Sequence, residues 1–244
     1  MPDRKGEEPA AELIPPPPWA AARVRRPRRT DRPPLDRDQI VGAALRVVDT
    51  DGSDSLSLRR LAGDLEVSPM SLYWHVRDKA QLLDLVGEAV LESIELPGRT
   101  GNWQDDLRAV HRSMRVALER HPNTADLMIG RARYGSAGLG LFEAILGILL
   151  DAGFTAEAAF AAYDSLYLFT LGYAATASRT ASFVAIQLEG LAYLGSLPAA
   201  RFPAIHAVAP VIAGRSADAR FEVGLDVVLE GIERRLGPGT GARR

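Results

Sequence analysis

The chain has 244 residues, 47% of them hydrophobic, and a formal net charge of −2, enough for one or two ordinary domains with buried cores. It has no cysteine, which excludes disulfides and thiolate metal sites, and its richest apolar stretch, LGLFEAILGILL, is interrupted by Glu143 and too short to cross a bilayer. The opening MPDRKGEEPAAELIPPPPWA puts acids and prolines where a signal peptide needs an apolar run, so a cytoplasmic protein with no membrane attachment is expected.

Residues 1–34 are rich in proline and arginine and lack an apolar period, which predicts a disordered or extended arm. Within it, residues 23–37 hold seven arginines against two aspartates, a basic segment that suits either a nucleic-acid arm or a solvated tail. Order is expected from Asp36, an N-cap with Gln39 three residues on, followed by Ile40, Ala43, Ala44, Val47 and Val48 along one helical face. DTDGSDS ends that helix. Ser57 caps a second, carrying Leu58, Leu61, Ala62 and Leu65, and Ser68 caps a third, with Pro69 at the first helical position. Asp78 caps a longer fourth helix, and PGRTGN breaks it. Helices follow near 103–121, 136–152, 155–178, 181–196 and 217–236, with HPN, DAG, LPAARFP and AGRS as punctuation. No sustained alternation marks a strand. The expected fold is all-α: a three-helix helix-turn-helix unit over residues 35–96, a larger helical body over 97–236, and a flexible tail over 237–244.

The third helix carries the most telling residues. In SPMSLYWHVRDK, Leu72 and Val76 lie four apart and can pack on Leu61 and Leu65. Met70, Ser71, Tyr73, Trp74 and His75 then spread over faces that so small a hairpin cannot cover. A recognition helix needs such an arrangement, a narrow apolar stripe beneath exposed groups that meet a groove. Arg59, Arg60 and Lys79, at helix starts, can neutralise phosphates alongside the backbone N–H groups there, Ser68 included. A metal role for His75 is not expected, since no second ligand lies at suitable spacing on that helix. An enzyme is not expected either: histidine occurs at 75, 111, 121 and 206, without a Glu-x-x-His pair or a clustered acid and base.

LSLRRLAGDLEVSPMSLYWHVRDKAQLLDLVGEAVL resembles the DNA-binding domain of the TetR family of transcriptional repressors, and the Tyr-Trp-His run points to its tetracycline-repressor branch. The likeness continues through Trp103, GFTAEAAFAAYDSLYLFTLGY and FEVGLDVVLEGIERRL. It implies that Arg59 contacts bases, that Met70, Ser71 and Tyr73 face the major groove, and that Tyr73, His75 and Lys79 hold phosphates. For Trp74 it implies packing partly under the helix and partly against the DNA backbone; a pure packing role between helices is the alternative. Two positions depart from the family pattern. Glu66 stands where the turn usually has glycine, at a cost on the order of 1 kcal/mol if φ is positive. Pro69 replaces a base-reading glutamine, so the operator should differ, with Met70 suited to a thymine methyl.

A helix of this size reads few base pairs, so a homodimer on two half-sites of double-stranded operator DNA is expected. The 155–178 and 217–236 helices are the expected interface. Ala158, Ala162 and Ser165 permit close approach along the first; Phe221, Leu225, Val228, Leu229 and Ile232 form the apolar stripe of the second. The same stripes could fill an internal core, and the family likeness decides for the interface. A small-molecule inducer is expected among Trp103, His111, Met114, Met128, Phe142, Phe169 and Tyr173. LESIELP has no histidine and ERHPNTADLMIG lacks the His-Leu-Gly expected of tetracycline repressors, which hold a magnesium–drug chelate through histidines, so an apolar or amphipathic molecule, with no metal or cofactor, is the expected inducer. Arg25, Arg26, Arg28 and Arg29 of the arm are expected in the minor groove. The competing reading is a helical small-molecule carrier or scaffold without a DNA target.

Overall fold

The computed structural model describes residues 35–121, 123–129, 135–178, 190 and 193–236, and among these there is helix and no strand. The first four helices are α1 (Arg37–Asp51), α2 (Leu58–Asp64), α3 (Pro69–Tyr73) and α4 (Lys79–Glu92). Each begins at a side-chain cap. Asp36 and Gln39 form a reciprocal capping box on α1; Ser57, Ser68 and Asp78 accept the N3 amides of α2, α3 and α4. The α2–α3 turn is a Schellman motif: Val67 N–H reaches the Ala62 carbonyl at 2.9 Å and Glu66 N–H that of Gly63 at 3.1 Å. Glu66 sits in it at φ 52°, so the turn keeps the left-handed conformation in spite of the glutamate.

The body consists of α5 (Trp103–Arg120), α6 (Ala125–Met128), α7 (Ser136–Asp151), α8 (Ala156–Ser178), α9 (Pro203–Gly214) and α10 (Ala217–Leu236). Sequence reading missed α6, a single turn, and α9, whose apolar residues lack a helical period because most of them are exposed. Of the helix expected near 181–196, residues 181–189, 191 and 192 lie outside the described residues.

Among the described residues two apolar cores form, and α4 belongs to both. Leu82, Leu83 and Val86 join Ile40, Val48, Leu61, Leu72 and Val76, with Leu127 of α6 reaching in. One turn on, Val90, Leu91 and Ile94 join the core of α5, α7, α8 and α10. Polar contacts also tie the two bodies: His121 Nδ1 lies 3.0 Å from the Asp49 carboxylate, and Asn123 donates to the Val48 and Asp49 carbonyls that end α1.

The expected dimer stripe needs correction. Phe221, Leu225, Leu229 and Ile232 are buried in the protomer's own core, and so is Ala162. Val228 is half-buried against that core, as is Ala158; Ser165 is exposed. The amphipathic pattern of α10 is satisfied by α8 of the same chain, where Gly224 lets the Phe169 ring approach so closely that a Cβ would strike it.

Candidate functional site

The structure sorts the residues of SPMSLYWHVRDK by surroundings. Leu72 and Val76 are fully buried and pin the segment to α1, α2 and α4. Met70, Tyr73 and Trp74 project from it at 66%, 54% and 52% exposure, which excludes a pure packing role for Trp74. The α-helix is shorter than the sequence implied: it ends at Tyr73, with Trp74 as C-cap, and half-buried His75 lies in the turn that follows. Aromatic groups that a continuous helix would send around its axis are therefore displayed from a helix end and a turn. Ser68 and Ser71 hydroxyls share a 2.8 Å hydrogen bond on the same surface.

The basic groups are not equivalent. Arg59 is exposed on the second residue of α2. Arg60 is committed within the protein: its guanidinium pairs with Asp51 and lies 3.8 Å from Asp64, so it stabilises the α1–α2 junction rather than standing as a spare cation. Lys79 Nζ donates to the Asp54 carbonyl at 3.1 Å, which holds the start of α4 on the Ser53–Ser55 turn. Arg25, Arg26, Arg28 and Arg29 lie outside the described residues.

In the body, the expected ligand residues divide. His111 and Met114 of α5 and Met128 of α6 are buried; Trp103, Phe169 and Tyr173 are half-buried around the same core, and Phe142 is half-buried beside Tyr163. Trp103 meets Phe154 edge-on at 5.1 Å, and Phe142 meets Tyr163 edge-on at 4.6 Å. Tyr173 and Phe221 instead embrace the Arg115 guanidinium, which pairs with Glu119 and Asp218, so this end is a packed joint. His111 is the chemically distinctive group. Its Nδ1 is 2.9 Å from Thr170 Oγ1, its Nε2 has no hydrogen-bond partner among the described residues, and burial pushes its pKa down to about 4. The imidazole is therefore neutral near pH 7. Among the described residues no other acceptor receives the Thr170 hydroxyl proton, so satisfying that hydroxyl and Nδ1 together makes Thr170 the donor and leaves Nε2 as the N–H. Sequence reading missed Thr170, and Tyr163 and Tyr167 with it. The i, i+4, i+7 spacing of 163, 167 and 170 on one face of α8 was the available signal.

A reader with an exposed recognition segment, joined through one shared helix to an all-α body, is the build of a one-component transcriptional regulator. Comparison with known proteins makes the class specific. Residues 96–236 match the family described as the tetracyclin repressor-like C-terminal domain. A HTH-type transcriptional regulator of Saccharopolyspora erythraea is 39% identical over 132 residues, 53% of this chain; the chain spans only 56% of that relative. The class E tetracycline repressor protein of Escherichia coli is 32% identical over 211 residues, 83% of this chain and 92% of the repressor. ActR of Streptomyces coelicolor, solved in complex with actinorhodin, superposes with a TM-score of 0.74 at 35% identity, covering 84% of this chain and 98% of ActR. The chain belongs to the TetR family of transcriptional regulators.

Proposed function

We propose that the protein is a homodimeric repressor that binds a palindromic operator through α2 and α3 and is released by a small apolar or amphipathic molecule. The observation that carries the DNA reading is the display of Met70, Tyr73 and Trp74 on a segment whose Leu72 and Val76 are locked in the core. Arg59 supplies an exposed cation beside it. With Pro69 at the start of α3, apolar contact by Met70 and hydrogen bonds from Ser71 and Tyr73 carry base discrimination.

For the dimer, the correction in α10 moves the interface to the outer faces of the same two helices. Phe160 and Leu168 of α8, and Val223 and Val227 of α10, are large apolar residues left exposed by the single chain. Side by side on two protomers they make a four-helix joint. For the ligand, His111 Nε2–H offers a buried donor to a neutral acceptor such as a carbonyl, among methionine and aromatic side chains. Actinorhodin, which ActR binds, is the first compound to try.

Release follows from α4. A ligand that binds more tightly to one pose of the body than to another shifts α4, and with it the spacing of two recognition segments about 34–36 Å apart. The test is titration against the DNA upstream of the protein's own gene at two salt concentrations, with random duplex as control. Preferential, salt-sensitive binding is expected, and equal affinity for random duplex would refute a local operator.

A further inference from the structure

We propose that Glu88 is a positioning residue for the reader: a latch through which α4 is held, in one orientation, on the N-terminus of α7. This rests on the reading of α4 as the lever. Glu88 lies between Val86, in the reader's core, and Val90, in that of the body. Its carboxylate accepts the Ala137 N–H at 2.5 Å on Oε1 and the Gly138 N–H at 3.4 Å on Oε2, with the Ser136 hydroxyl 3.4 Å from Oε1. The N-cap of α7, Gly135, offers no side-chain cap. A carboxylate from another helix does that work.

Gly135 is part of the device. A Cβ at that position would run into the Glu88 carboxylate, so the absence of a side chain at the cap makes room for the incoming one. An anion on exposed amides at a helix start is favoured by charge as well as by hydrogen bonding, and such bonds have direction. The apolar contacts of Val90, Leu91 and Ile94 are non-directional and tolerate small slides. His121 and Asn123 tie the body to α1, and the Ser113 hydroxyl of α5 donates to the Glu95 carbonyl beyond the end of α4. Glu88 therefore sets the orientation of α4, while the apolar contacts set its depth. A ligand that reshapes α7 acts on the reader by loosening this bond.

The cysteine-free chain allows a direct test. Spin labels at Gly63→Cys on α2 and Ala156→Cys on α8, both exposed, report the reader-to-body distance by double electron–electron resonance, with labelled chain diluted into unlabelled chain. A narrow distribution is expected for Glu88, a shifted or broadened one for Glu88→Ala and Gly135→Ala, and an intermediate one for Glu88→Gln, which keeps an acceptor without the charge. Glu92→Gln, an exposed acid on the same helix, should match the parent. Preference for the upstream DNA over random duplex should change about 2- to 30-fold in the two disrupted variants. Parent-like distributions in both Glu88→Ala and Gly135→Ala, with helix content retained, would overturn the latch. A shifted distance with unchanged DNA preference would leave the latch standing and count against the DNA reading.

Discussion

Glu66 occupies a left-handed position that favours glycine, and the two Schellman hydrogen bonds around it hold it there. Glu66→Gly should therefore raise stability by about 1 kcal/mol without altering DNA affinity, read as a thermal shift of a few degrees. A loss of stability would mean that the glutamate side chain contributes more than its backbone costs. His111 behaves oppositely with pH. Its folded-state pKa, about 4, lies below the unfolded value of 6.5, so the unfolded chain takes up the proton first. The contribution is whole above pH 6.5 and falls on acidification towards pH 4, by at most about 1.4 kcal/mol per pH unit. His111→Leu should flatten that slope in melts at pH 7 and pH 5; an unchanged slope would place the acid sensitivity elsewhere. Glu66 was legible because the family pattern places glycine at that turn, whereas the tautomer of His111 required knowing that Thr170, fifty-nine residues away, faces it.

Between elements, α5 and α10 meet through charge. Gln104 bonds Glu233, Arg108 bonds Asp226, Arg112 bonds Glu222, and Arg115 pairs with Asp218, an antiparallel ladder along the two helices. Arg112 and Glu222 are well solvated, so a double-mutant cycle to alanine should return about 0.2–1 kcal/mol, diminishing as salt is raised. A coupling well above that, insensitive to salt, would show that the ladder acts as one network. Sequence periodicity located both helices and all four caps of the reader, because capping residues lie within one turn of the amides they satisfy. It could not pair Arg112 with a residue 110 positions on. It also merged Trp74 and His75 into α3, since nothing in the composition ends that helix at Tyr73.

At the scale of the molecule, an apolar stripe reads identically whether it is covered by its own chain or by a second copy. That ambiguity is why the stripe holding Phe221 and Leu225 reads from sequence as an interface although it closes the protomer's core. On the revised assignment, Val227→Asp should yield a folded monomer by light scattering, with weakened operator binding; a persisting dimer would move the interface off α10. The arginine-rich arm is testable at the same scale: deleting residues 1–32 should weaken DNA binding and flatten its dependence on salt, and an equal slope would make the arm a solvated tail. The shared helix has one more consequence. Because α4 contributes Val86 to one core and Val90 to the other, the loop between α4 and α5 does not bound a detachable reader. A chimaera that grafts a foreign reader onto this body by cutting at residue 97 imports an α4 mismatched to α7. Joining within the turn before Lys79 instead preserves the native α4 and leaves Leu82, Leu83, Val86 and Leu127, with the His121 and Asn123 ties, to be matched to the new reader.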